Sequence, residues 1–204
     1  MKKLFGAFVV LLMTVTFISA ANAAPRHSID FSGKKIIKLA VVPYVNTSGE
    51  TASYVLDSLK AGYTDYYANE GFRVIPTEDM EKALVQSEYN EFDNMLATES
   101  VLKNIAEKTK SDIVIAMEID EIDTFREDAF PKVKITAKVK LIYEIYKKSE
   151  DKFYQFKIAT SYDNKATLAD VGPKHAVKSA LDKALDRGNH RVIEIINRKE
   201  KKQQ

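Results

Sequence analysis

The stretch Lys132-Val133-Lys134-Ile135-Thr136-Ala137-Lys138-Val139-Lys140-Leu141-Ile142-Tyr143-Glu144-Ile145-Tyr146 decides how this chain folds. Every odd position from 133 to 145 is apolar, and most even positions are polar. Successive side chains of a strand point to opposite faces, so period two over this length predicts a long strand with one buried face. Lys147-Lys148-Ser149-Glu150-Asp151 reads as a turn. Residues 152–162 alternate again, with Tyr154, Phe156, Ile158 and Tyr162 on one side, which completes a hairpin.

Upstream, Ile36 to Val42 is a nearly continuous apolar run ending at Pro43, and Asp112 to Met117 is another. Both predict short strands buried on two faces. Phe72-Arg73-Val74-Ile75, stopped by Pro76, is a third short strand. Between them the spacing is helical. Ala52, Val55, Leu56, Leu59, Tyr63, Tyr66 and Tyr67 share one face over residues 51–70, capped at the start by Ser48 or Thr51 and at the end by Gly71. Thr77 caps a helix with Glu78 and Asp79 in its first turn and Met80, Ala83, Leu84 and Phe92 inward. Thr98-Glu99 opens another, with Val101, Leu102, Ile105 and Ala106 inward. Gly172-Pro173 opens the last, whose inner face is Val177, Ala180, Leu181, Ala184 and Leu185; Gly188-Asn189 weakens its middle before Val192, Ile195 and Ile196 resume the pattern. The order β-α-β-α-α-β-β-β-α predicts an α/β domain. A βαβ start with a right-handed crossover gains an antiparallel hairpin, giving one mixed sheet with helices packed on it.

The N-terminus carries an address. Lys2 and Lys3 precede an uncharged apolar stretch, Leu4 to Ile18, and Ala21 and Ala23 sit as a cleavage site. The apolar core is shorter than the ~20 residues that span a bilayer. The expected organisation is a signal peptide over 1–23, a leader of low order over 24–34, one domain over 35–197 and a charged tail over 198–204. An extracytoplasmic location, where ATP and reduced nicotinamide are scarce, disfavours kinases and dehydrogenases. The chain has 31 Lys plus Arg against 29 Asp plus Glu, and the signal segment holds two of the lysines and no acid. The mature chain is therefore formally neutral, which does not suit a nucleic-acid binder. The absence of cysteine excludes disulfides, thiolate metal sites, a cysteine nucleophile and a lipidated N-terminal Cys.

Three segments carry a family resemblance. Ile37-Lys38-Leu39-Ala40-Val41-Val42-Pro43-Tyr44-Val45-Asn46-Thr47-Ser48-Gly49-Glu50 resembles the opening strand and loop of a group of bacterial envelope domains. That group includes the N-terminal domain of TolB, the periplasmic domain of the curli secretion protein CsgG and the penicillin-binding-protein activator LpoB. Gly71 to Ile75 leading to Glu78 and Leu84, and Ile105 to Glu118, resemble the group's next strand–helix and helix–strand segments. Ala116-Met117 departs from the group where it often has Gly, no lipidated Cys follows the signal peptide, and no propeller repeats follow. The resemblance implies a periplasmic α/β scaffold that works by contacting envelope proteins, or a subunit of an envelope secretion assembly. It implies no catalytic residues.

The residues themselves offer several sites. Lys132, Lys134, Lys138 and Lys140 share one strand face, and Lys147 and Lys148 extend the charge into the turn, a possible partner surface against the plainer reading of lysines that discourage edge aggregation. Asn46, Thr47, Ser48 and Gly49 follow a buried strand and precede a helix, as an anion-holding loop would, although ordinary capping uses the same residues. Asn46-Thr47-Ser48 also spells a glycosylation sequon. Glu118, Asp120, Glu121, Asp123, Glu127 and Asp128 read as an exposed acidic connection, without the spacing or loop glycine of a calcium site. The hairpin's alternation alone permits a membrane hairpin. Tyr63, Tyr66 and Tyr67 fit the core, and Tyr54 stands further round as a contact residue. His27, His175 and His190 form no catalytic pair, and no H-E-x-x-H, G-x-S-x-G or phosphate-cradling glycine loop is present. Paired carboxylates for glycoside hydrolysis need not be close in sequence. No cofactor is expected, nor a nucleic-acid partner or a membrane span after cleavage.

Overall fold

A computed structural model describes residues 36–90, 93–129, 132–167 and 172–198. The signal peptide, the leader, Phe92 and the tail beyond Arg198 lie outside the described residues. Chain order runs β1 (Lys38–Val41), β2 (Val45–Asn46), α1 (Ser53–Leu59), a π-helical turn (Lys60–Thr64), α2 (Tyr66–Asn69), β3 (Arg73–Val74), α3 (Thr77–Gln86), α4 (Glu99–Thr109), β4 (Ile113–Ala129), β5 (Lys132–Lys147), a 3₁₀ turn (Lys148–Glu150), β6 (Lys152–Thr167) and α5 (Lys174–Asn197).

Among the described residues, six strands form one mixed sheet in the order β3-β1-β4-β5-β6, with β2 also paired to β4. The pairs β1–β3, β1–β4 and β2–β4 are parallel; β4–β5–β6 is an antiparallel meander. One face of the sheet packs against α1, α2 and α5, and the other against α3 and α4. The two βαβ crossovers thus lie on opposite faces. The apolar positions of β5, Val133 to Ile145, are buried under α5. Each such Val, Ile or Leu contributes roughly 1.5–3 kcal/mol relative to full exposure.

The structure corrects four expectations. The acidic connection is strand, not loop: β4 continues to Ala129. A bulge between Ile119 and Glu121 reverses which positions face α5, from Met117 and Ile119 to Ile122, so the alternation breaks in the sequence while the strand runs on. The helix over 51–70 is divided by the wide turn at Lys60–Thr64. There Gly62 lies under Leu185, so close that a Cβ would stand 2.7 Å from Leu185 Cδ1. Its carbonyl accepts a 2.6 Å hydrogen bond from Asn189 Nδ2. Finally, Gly188-Asn189 does not weaken α5, which is continuous through both residues. The helix start at Ser53 also lacks a Ser or Thr cap; the Glu50 carboxylate accepts from the Ala52 N–H instead.

Gly188 lets α5 come down on β5. A Cβ there would sit 2.5 Å from the Tyr143 hydroxyl and ring. The ring cannot move aside cheaply, because it stacks on Phe156 at 5.1 Å and meets Tyr63 edge-on at 6.5 Å. Gly188→Ala therefore tests packing against helix propensity. Propensity alone predicts a gain of about 1 kcal/mol. Overpacking predicts a net loss of about 1–3 kcal/mol. A urea denaturation midpoint that falls is the expected result; one that rises means the close contact does not limit the helix.

Candidate functional site

The meander beyond the helices places the predicted lysines. Directly opposed residues run across the sheet in rows: Glu121–Lys140–Ala159, Asp123–Lys138–Ser161, Phe125–Thr136–Asp163 and Glu127–Lys134–Lys165. Every member of a row points to the same face, the one opposite α5. Lys134, Lys138 and Lys140 therefore stand between an acidic strand and a mixed one. Lys140 pairs with Asp120. Lys134 lies 3.7 Å from Glu127 and 3.4 Å from Asp163, and Thr136 donates to Asp163 at 2.8 Å. These carboxylates and hydrogen bonds raise the Lys134 and Lys140 ammonium pKa values and depress that of Asp163. Exposed pairs of this kind contribute about 0–1 kcal/mol each, so their main effect is to hold register.

Three of the six lysines make no ion pair among the described residues. Lys132 is exposed, Lys138 lies 4.7 Å over the Phe125 ring, and Lys148 is exposed at the far end of the hairpin. On β4, Glu121 and Asp123 share a hydrogen bond and repel each other, which lifts the Glu121 pKa above the ordinary carboxylate value. Phe125 is 48% exposed beside them.

Lys147 leaves the predicted surface altogether. It continues the inward parity of Tyr143 and Ile145, and its side chain is buried beside Glu150, 2.6 Å away. Its ammonium also donates to the carbonyls of Ile195 (3.1 Å) and Arg198 (2.9 Å) at the C-terminal end of α5. A cation there satisfies terminal carbonyls and the helix dipole. Lys147 is a structural clasp joining hairpin turn and helix end.

The loop Asn46-Thr47-Ser48-Gly49 is engaged internally. Asn46 Nδ2 donates to the Glu50 carbonyl, Ser48 Oγ to Asn46 Oδ1, and the Thr47 and Ser48 N–H groups to the Ile119 carbonyl. Thr47 Oγ1 is 2.7 Å from a Glu118 carboxylate oxygen. An anion arriving there meets a carboxylate and donors already in use. Asn46 also lines a cleft of about 740 Å³ beyond the carboxyl ends of β1 and β3, with Tyr44, Asp65, Thr77 and Glu81. The charged groups of that cleft are acids. Of the tyrosines, Tyr63 and Tyr67 are buried, donating to the Val42 carbonyl and to Asn189, while Tyr54 lies under Lys174.

Among the described residues no three His, Asp or Glu side chains gather as metal ligands. The β4 acids divide between the two sides of the strand, Glu121, Asp123 and Glu127 on one and Asp128 on the other. No described helix is long and apolar enough to cross a membrane. Two groups escaped the sequence reading. Lys183 and Arg187 on α5, one turn apart, border a shallow hollow of about 390 Å³ with Glu121, Lys138, Lys140, Ala159 and Ser161. Their signal was available: the neighbouring charges of α5 pair within the helix as Lys178–Asp182, Asp186–His190 and Arg191–Glu194, and these two do not.

The fold is a single open mixed sheet with helices on both faces, and a solved bacterial structure shares it. The hypothetical protein CT253 from Chlamydia trachomatis superposes with a TM-score of 0.53 at 12% identity, covering 80% of this chain and 99% of that one. Looser superpositions reach lipoprotein GNA1162 from Neisseria meningitidis (TM-score 0.43, 14% identity, 78% and 97% covered) and the C-terminal domain of LpoB from Escherichia coli (0.42, 14%, 61% and 82%). No protein-family model matches the sequence, and no curated protein does.

The Lys147 clasp yields a measurable prediction. Glu150 is held below its ordinary carboxylate pKa by Lys147 and by Tyr154, which donates to it. A depressed carboxylate stabilises the fold above its unfolded pKa, and that stabilisation is lost as pH falls through the folded value. Lys147→Met removes the nearest cation and leaves the carboxylate with Tyr154 and the more distant, exposed Lys152 at 3.9 Å, and is expected to cost about 1–3 kcal/mol near neutral pH. The deficit shrinks in acid as Glu150 protonates. A melting-temperature deficit that stays constant from neutral pH to pH 3 removes Glu150 from the account.

Proposed function

We propose that the chain is an exported, non-enzymatic interaction module of the bacterial cell envelope, of the TolB-N/CsgG-like type, that holds partner proteins through the open face of its meander. The observation that carries this is the coverage of the sheet. Helices cover both faces around β1 and the inner end of β5, where Glu144 and Tyr146 are buried opposite α5. Beyond Ile142 the face opposite α5 has no helix over it among the described residues. It presents Lys132, Lys138 and Phe125 among the paired charges of β4, β5 and β6. A cation over an exposed aromatic ring, ringed by polar groups, is the composition of a protein contact rather than of a reaction centre.

Three further features support the reading. The signal-peptide pattern of residues 1–23 sends the chain out of the cytoplasm. The three motifs resemble envelope scaffold domains. The anion-binding alternative at residues 46–49 loses ground, because Glu118 and the loop's own bonds occupy that site.

The test uses a photo-crosslinking residue at Thr136 in the intact envelope, comparing the natural chain with Lys132→Gln/Lys138→Gln. Neither lysine makes an ion pair, so the fold should melt unchanged. A discrete crosslinked partner is expected with the natural chain, reduced severalfold in the variant. Equal crosslinking by both chains would falsify the docking role of this face.

A further inference from the structure

We propose that the cleft beyond the carboxyl ends of β1 and β3 is a binding site for a small organic dication, an aliphatic chain with an ammonium at each end. The site lies apart from the open face of the meander and does not depend on a partner there.

Topology makes the cleft. β1 pairs in parallel with β3 on one side and with β4 on the other. The chain leaves β1 for α1 and α2 on one face of the sheet, and leaves β3 for α3 on the opposite face. Neighbouring parallel strands whose connections part in this way leave a crevice outside their carboxyl ends, which is where open α/β sheets bind ligands. A proline follows each strand by two residues, Pro43 after β1 and Pro76 after β3, and both line the crevice. Its volume of about 740 Å³ suits a small molecule, for which pockets run to roughly 300–1,000 Å³.

The walls are already in place. On one side stands Tyr63, in the wide turn that Leu185 and Asn189 hold at Gly62. Its hydroxyl donates to the Val42 carbonyl at 2.8 Å. The Asp65 N–H closes the same turn on the Lys60 carbonyl at 2.9 Å, which fixes Asp65 beside the cleft. On the other side α3 brings buried Met80 and exposed Glu81 to the lining. A preformed site spends little of its binding energy on ordering itself.

Charge selects the ligand. The lining holds two carboxylates, Asp65 and Glu81, and no Lys, Arg or His. Neither carboxylate makes an ion pair or a side-chain hydrogen bond among the described residues: Asp65 caps no N–H of α2, and Lys82, next to Glu81, is paired with Glu78. The two acids belong to helical layers on opposite faces of the sheet, with the apolar strand ends Val42, Pro43, Ile75 and Pro76 between those layers. One ammonium answers one carboxylate and leaves the other unpaired. A chain with an ammonium at each end answers both and lays its methylenes on the apolar strip. Half-buried Tyr44 offers a ring and a hydroxyl in the same lining, and burial raises its pKa, so the hydroxyl stays neutral. The N-terminus of α3 borders the cleft at Thr77 and by itself favours an anion, but its first turn already carries Glu78 and Asp79.

The test is an amide chemical-shift titration of the isotope-labelled exported chain. The probes are the α,ω-diamines from diaminobutane to diaminooctane, with the matching α,ω-diols as uncharged counterparts. At least one diamine is expected to give saturable shifts centred on Tyr44, Asn46, Asp65, Thr77 and Glu81, weakened by added salt. The diols should give none at the same concentration. Asp65→Asn and Glu81→Gln should each weaken the diamine severalfold, and the double variant more. Both side chains are exposed, so the melting temperature of the variants should not move. The proposal is overturned if no diamine gives saturable shifts, if the diols act equally, or if the loss is confined to one variant. Shifts spread over the acids of β4 and α5, in place of the cleft, would overturn it as well.

Discussion

At Gly188 the backbone of α5 meets the ring of Tyr143 with no side chain between them, and this contact sets the distance between helix and sheet. Tyr143 is also where the other layers meet. It stacks on Phe156 of β6 and touches Tyr63 in the wide turn before α2, and its hydroxyl is buried without a hydrogen bond among the described residues. One turn from Gly188, Leu185 presses on Gly62, and Asn189 holds both the Gly62 carbonyl and the Tyr67 hydroxyl. Two glycines and one asparagine thus bring α5 against both the sheet and the first helical layer. Larger residues at either glycine would lift the helix and open the core that the alternation of β5 creates.

With α5 fixed in this way, only one side of the long meander is covered. The helix crosses β5 and β6 along their length, and Lys147 pins its end to the hairpin turn. The opposite face receives α3 and α4 only near β1 and the inner end of β5. The uncovered remainder must be soluble, and the sequence meets this with charge. The arrangement of that charge across strands, acid on β4 and lysine on β5, also discourages a register slip. Moving β5 by one residue would turn its lysines toward α5 and its valines and isoleucines to water.

Much of this was legible in one sequence, and the parts that were not share a cause. β5 announced itself because a single strand with one covered face keeps strict parity from Val133 to Ile145. The outer half of β4 was hidden by one extra residue at Asp120, which inverts parity midway and leaves the strand resembling an acidic loop. Gly188 read as a weak point because propensity is local, whereas the Tyr143 ring that requires it lies 45 positions earlier. The wide turn at Lys60–Thr64 answers to Leu185 and Asn189, more than 120 positions away. Lys147 was the exception. Its odd position continued the buried parity, and only the expectation that lysine belongs in a turn concealed it. On the surface, sequence placed the lysines correctly on one face but not their partners, because cross-strand rows follow from register.

Register changes the meaning of the charge count as well. A nearly balanced charge count with acids over 118–128 and lysines over 132–148 looks like two adjacent patches of opposite sign. In the folded sheet those patches interleave, and most of their charge is spent within the molecule. Asp120, Glu127 and Asp163 are taken up by Lys140 and Lys134, and Glu150 by Lys147. What remains is small and placed by geometry: Lys132 and Lys138 on the open face, and Lys183 and Arg187 on α5 beside a hollow that Glu121 also lines. A surface pair already made contributes about 0–1 kcal/mol and adds little to a new contact, since it must first be broken. The unpaired residues carry no such cost. They, rather than the density of charge along the sequence, are the charges left without an ion pair among the described residues.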